Sequence, residues 1–336
     1  ELKVVATHFQ LTFLVLIVYW IIIIHGRAAY LWALRGYVLG NMGVILLVAL
    51  FGLESGGGDD RYSATLGSEY VDANLMGGII VLALLSAIYL FMHDKKFMYR
   101  IFYGISILVL PLMILKTGSR GALLGLIIAV VLPFIFVNQV VKRPKIILVA
   151  LLCFLLVGAY VGSKLVKGIT VTEETQLRFT EGAIETSYSY RLGLMMDALK
   201  SVSTRPQGTA RINWLMQYPH VPHNDFFYIL GIYGLPGAGL FVTFITIVIL
   251  TIKRMTLSID KVYNRTVLTF LIVAGLSLTQ IAMKHYWIFM ALILANDYLV
   301  RNESENEIDD AVYEQDEYNE LGEPYEFFEA ENRHLN

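Results

Sequence analysis

The sequence predicts an all-α fold, a multi-pass integral membrane helical bundle of about nine spans with one large outward-facing helical loop. Three observations carry that prediction. Hydrophobic residues make up 56% of the 336 positions and charged residues only 16%, whereas soluble domains hold about a quarter charged residues. Several apolar runs approach or exceed the roughly 20 residues of helix that cross about 30 Å of hydrocarbon. The connections between runs are short and basic on one side, and include one long patterned loop on the other.

Apolar runs place spans at about 8–25, 37–53, 73–92, 101–115, 119–138, 146–163, 230–250, 266–282 and 285–300. Lipid offers no partner for backbone N–H and C=O groups, so each span is expected to be helical. HDKKFMYR (93–100), VKRPK (141–145) and KRMTLSIDKVYNR (253–265) are short and rich in Lys and Arg. Such loops stay in the cytoplasm. Alternation then turns 54–72, 116–119, 164–229 and 283–284 outward, and puts the Arg27 and Arg35 connection inside. The chain divides into six spans over 1–163, the outward loop 164–229, three spans over 230–300 and an inward tail, 301–336. It opens at Glu1 with no methionine and no signal-peptide n-region, so the true N-terminus is expected to lie upstream.

The formal net charge of -2 conceals an asymmetry. From Arg301 to Asn336 there are 13 acidic side chains against Arg301 and Arg333, which leaves the body with 15 acidic and 24 basic residues. The tail lacks an apolar period and reads as solvated and flexible. A basic body suits anionic headgroups or a phosphorylated ligand as well as ordinary cytoplasmic loops. Membrane lipids are expected partners; nucleic acid is not.

Cys153, the single cysteine, sits within VALLCFLLVGA and has no intrachain partner. Apolar surroundings keep such a thiol inert. The seven histidines are scattered without HExxH or Cys/His ligand spacing, so neither a metal site nor a cofactor is expected.

The loop 164–229 contains TSYSYRLGLMMDALKSV, with Leu192, Met195, Met196 and Leu199 at i, i+3, i+4 and i+7. That spacing predicts a surface helix lying along the outer face of the membrane. A patterned loop of this length is a functional candidate.

Polarity meets membrane depth at three places. In KTGSRGALLGL, Gly118 and Gly121 bracket Ser119 and Arg120 at the mouth of the fifth span. Arginine at a helix start opposes the macrodipole, so it either snorkels to headgroups or clamps a phosphate through its planar fork. Arg191 heads the loop helix. PHVPHND (219–225) then brings His220 and His223 to the start of the seventh span. Histidine is the natural base near neutral pH, although Asn224 or Asp225 at that place also serves as a helix cap.

Taken in order, SRGALLGL, the Arg-led helix, HND and GIYGLPGAGLF resemble the O-antigen ligase and O-antigen polymerase family of bacterial membrane glycosyltransferases. RYSATLGSEYVDANLMGG is similar to a further family segment through Arg61, Gly67 and Asn74. The resemblance runs from about Arg61 to Val300. It departs at Met195 or Met196, where the family carries Trp, at Gly208, where a Gly-x-Gly turn is reduced, and at Asp72, where proline is common.

The resemblance implies metal-independent transfer of a glycan from an undecaprenyl diphosphate carrier to an acceptor sugar hydroxyl at the outer face of the bacterial inner membrane. The acceptor is another carrier-linked repeat in a polymerase and the lipid A core in a ligase. By position, Arg120 and Arg191 bind the diphosphate and His223 is the base, while Arg61, Asn74, Ser119, Asn224 and Arg211 bind substrate. Two other readings stay open, a flippase for lipid-linked saccharide and a non-catalytic assembly partner. The first predicts midplane charges and internal repeats, whereas here the polar groups gather at one face.

Overall fold

The computed structural model describes residues 2–51, 64–66, 69–71, 73–117, 119–125, 181–218, 220–256, 258–277 and 283–320, with 127, 131, 279 and 281 as isolated positions. Helix dominates: α1 (Leu2–Phe51), α2 (Ala73–His93), α3 (Phe97–Thr117), α4 (Glu181–Thr204), α5 (Arg211–Gln217), α6 (Asp225–Arg254), α7 (Ile259–Ser277) and α8 (Lys284–Glu320). Residues 120–125 open a further helical stretch after α3. One short antiparallel hairpin, β1 (Ala64–Leu66) with β2 (Glu69–Val71), precedes α2 and pairs Ala64 with Val71.

Four described helical stretches are long and apolar enough to cross a membrane: Phe9–Leu47, Ala73–His93, Phe97–Thr117 and Asp225–Arg254. The last two predicted spans are helical in α7 and α8 but are not among those four, and both carry charged side chains. The predicted span 146–163, with Cys153, lies outside the described residues.

The first two predicted spans are joined differently from the expectation. No loop separates them: helix continues on both sides of Gly26, which alone leaves helical geometry at φ 67, ψ −157. The expected connection, RAAYLWALR, is made of good helix formers. At the other terminus α8 runs on to Glu320, so the first part of the acidic tail is helical and continuous with the predicted ninth span.

α2 is buried along most of its length and forms the middle of the bundle, packed by α1, α3 and α7. Helix ends sort to two poles. At one pole Arg35 pairs with Asp94 at 2.8 Å, and Tyr89 donates to Asp260 at 2.7 Å. There Arg27 pairs with Asp260 and Asn296, and Arg254 and Arg301 converge on buried Asp297 at 2.9 and 3.0 Å. Lys261 donates its ammonium to the carbonyls of Lys253 and Met255, closing the C-terminus of α6. Burial, and then Arg265, push that lysine's pKa down. These residues come from the basic connections and the helix turns beside them. At the opposite pole lie the starts of α2 and α6, the ends of α3 and α7, and the segments α4 and α5. Every described candidate residue sits at this second pole.

Candidate active site

The turn after α3 is built from hydroxyls. Thr117 Oγ1 donates to the Ile114 carbonyl at 2.7 Å and accepts from the Ser119 amide at 3.2 Å. Ser119 Oγ accepts from the Ala122 amide at 3.2 Å, which makes Ser119 the N-cap of the next helix. With 1% of its surface exposed, Ser119 is committed to this turn. Gly77 of α2 permits the approach, since a Cβ there would stand 2.5 Å from Ala122 Cβ. The cap places Arg120 in the first turn, half-buried.

α4 brings Arg191 to the same place. Its packed face is Leu194, Ala198 and Ser201, one or two turns beyond half-buried Arg191, and it rests on α6. The predicted stripe turns the other way: Leu192, Met196 and Leu199 are 44%, 47% and 45% exposed. The small side chain of Ala198 allows the helix to sit close to α6, with Leu194 buried beside it. Burial first, and then the Arg120 charge, hold the Arg191 guanidinium below its ordinary pKa. An anion placed near both would offset their charges and that of the helix end.

Between α4 and α5 the chain clasps α6. Gly234 breaks α6 with φ 68 and ψ −162, a region essentially reserved for glycine. The break frees backbone groups that the 205–210 loop then satisfies. Thr209 N–H donates to Gly231 O at 3.2 Å, Ala210 N–H to Ile232 O at 3.0 Å, and Leu235 N–H to Pro206 O at 2.7 Å. Gly208 and Gly234 meet so closely that a Cβ on either would lie within 2.6 Å of backbone atoms of the other strand. Arg211 follows as the exposed first residue of α5, within electrostatic reach of Tyr228 and Tyr233.

Trp214 is fully buried against Gly231, and its indole N–H donates to the His220 carbonyl at 2.9 Å. The exposed His220 ring lies edge-on to Tyr190, with centroids 5.9 Å apart. The histidine loop is thereby tied to the residue preceding Arg191. Beyond it His223 is half-buried, between buried Pro222 and buried Asn224.

Asn224 uses both side-chain atoms. Its Oδ1 accepts from the Phe227 amide at 3.1 Å as the N-cap of α6, and its Nδ2 donates to Leu276 O at 3.1 Å. Asp225 Oδ1 accepts from the Ile281 amide at 2.9 Å, and Thr279 Oγ1 donates to Pro222 O at 2.7 Å. Trp287 Nε1 holds the Ile281 carbonyl at 2.6 Å.

Arg120, Arg191 and the His223 loop thus occupy one pole of the helices. Asn74, half-buried, lies in the first turn of α2 at the same pole; Arg61 is outside the described residues. The braces Trp214 and Thr279 have no role in the motif reading; Asp225 reads as a candidate cap of α6, a place that Asn224 takes instead. Gly208 and the GIYGLPGAG stretch signalled the clasp, whereas no local pattern signals Thr279. Among the described residues no three His, Cys, Asp or Glu side chains gather as metal ligands would.

Residues 105–242 match the family model described as O-antigen ligase. This segment of the chain is similar to the O-antigen ligase family. A search of curated proteins returned no match. The matched segment encloses Arg120, Arg191, His223 and the clasp at Gly234, and ends within α6. Its family implies glycan transfer of the O-antigen ligase or polymerase type. The segment 276–281, which braces the histidine loop, lies beyond the matched residues.

Proposed function

We propose that this protein transfers a glycan from undecaprenyl diphosphate to an acceptor sugar hydroxyl at the outer face of the bacterial inner membrane, without a metal ion. The observation that carries this reading is that Arg120 and Arg191, on different helices, lie within electrostatic reach of each other at the pole that bears the His223 loop. Two guanidiniums held together suit a diphosphate, whose leaving requires stabilisation of developing negative charge.

In this reading His223 takes the proton from the acceptor hydroxyl as its oxygen attacks the anomeric carbon. The bond from that carbon to the phosphate oxygen breaks, and the undecaprenyl diphosphate leaves with the electron pair. Attack from the face opposite the leaving group inverts the anomeric centre. Arg120 and Arg191 offset the diphosphate charge, and a half-buried site strengthens that interaction. The basic pole faces the cytoplasm and carries the acidic tail with it.

The acceptor favoured is another carrier-linked repeat, which makes the enzyme a polymerase of surface polysaccharide. Glycan analysis of a deletion strain tests this. Single-repeat products in place of long chains support polymerisation. Full-length polymer accumulating on the carrier indicates a ligase, and unchanged surface glycan contradicts transfer altogether.

A further inference from the structure

We infer that Thr279, outside the matched domain, is a positioning residue that sets the direction of the His223 side chain; this rests on the reading of His223 as the base. The bond from Thr279 Oγ1 ends on the Pro222 carbonyl at 2.7 Å. That oxygen and the His223 amide nitrogen belong to one planar peptide unit. Fixing the oxygen fixes the plane, and with it the backbone entering His223.

The following residue is held as firmly, because Asn224 is bonded to Phe227 and Leu276. Asp225 then takes the Ile281 amide, whose carbonyl is held by Trp287. His223 is therefore framed on both sides by contacts to one short connection, residues 276–281. Of these contacts, the one from Thr279 acts on the peptide of His223 itself. Proline at 222 adds a fixed φ but brings no N–H that could serve instead.

Displacements of about 1 Å at a reacting group can cost on the order of a hundredfold in rate. Loosening this plane accordingly lowers turnover while leaving substrate binding intact. The test uses the purified full chain with a defined lipid-linked repeat, comparing Thr279→Val, Thr279→Ser and His223→Ala. The expected result is a fall in kcat of about tenfold or more for Thr279→Val with KM within about twofold. Thr279→Ser, which keeps the donor, recovers most of the turnover.

Wild-type kcat in Thr279→Val beside an inactive His223→Ala overturns the positioning role and leaves the base assignment standing. Equal losses in the Val and Ser variants, or a KM that rises as far as kcat falls, also overturn it. An active His223→Ala overturns the base assignment and this inference together.

Discussion

Arg191, far from Arg120 in sequence, lies within its electrostatic reach: burial first, and then the Arg120 charge, lower the Arg191 pKa. In the proposed function the pair is a diphosphate site whose mutual repulsion a bound anion offsets.

Stability measurements check that view. The folded pKa of Arg191 lies below its unfolded value, so the unfolded chain binds the proton more readily. The charged side chain therefore costs stability at all working pH, and the cost lifts only as pH rises through the lowered pKa. Arg191→Gln is expected to raise the thermal midpoint of the ligand-free protein. Inorganic pyrophosphate is expected to raise the midpoint of the wild type and not of Arg191→Gln. Differential scanning fluorimetry in detergent reads both effects.

Replacing Arg120 by lysine keeps the charge and loses the planar fork. Arg120→Lys is expected to fold normally and to lose about a hundredfold in turnover, the scale set by removing one donor to a developing oxyanion. Steady-state turnover with a lipid-linked repeat measures this, and full activity would sink the bidentate clamp.

The clasp on α6 makes a prediction about folding. At Gly234 a Cβ would stand 2.2 Å from the Pro206 carbonyl, at a φ of +68 that L side chains avoid. Gly234→Ala is expected to cost at least about 3 kcal/mol, the upper part of the range for a strained backbone position. Loss of a monodisperse peak on size exclusion, or a steeply lowered midpoint, is the expected observation. Gly40, where a Cβ meets nothing within 4 Å, supplies the control.

Asn224 separates capping from bracing. Asn224→Asp keeps the acceptor for the Phe227 amide and removes the donor to Leu276, setting a carboxylate against a carbonyl. Asn224→Ala removes both and is expected to cost about 1 kcal/mol for the lost cap, with more for the unpaired Leu276 carbonyl. The alanine variant should therefore melt lower than wild type, with turnover reduced in both variants. Wild-type activity in Asn224→Asp would show that the Leu276 tether does not position the loop.

Periodic and local features were legible in the sequence. Apolar runs fixed α2, α3 and α6 to within a few residues, because a span must satisfy its own backbone. Ser-Arg-Gly and His-Asn, which stood out in the sequence, fall at one pole of the helices. What escaped was relational. Asn224 was legible as a cap of α6, but its second bond to Leu276 was not, nor was the capping bond of Ser119. The packed face of α4 follows Ala198 and Leu194, since closeness to α6 favours a small residue over the larger Leu192 and Met196. The bond from Thr279 to Pro222 joins segments with no shared pattern, and only the folded chain brings them together.

The most direct test of the account is single-turnover transfer by purified His223→Ala with a lipid-linked repeat, alongside binding of the same lipid. The account predicts loss of transfer by about a hundredfold or more with binding retained. Transfer at the wild-type rate would contradict it.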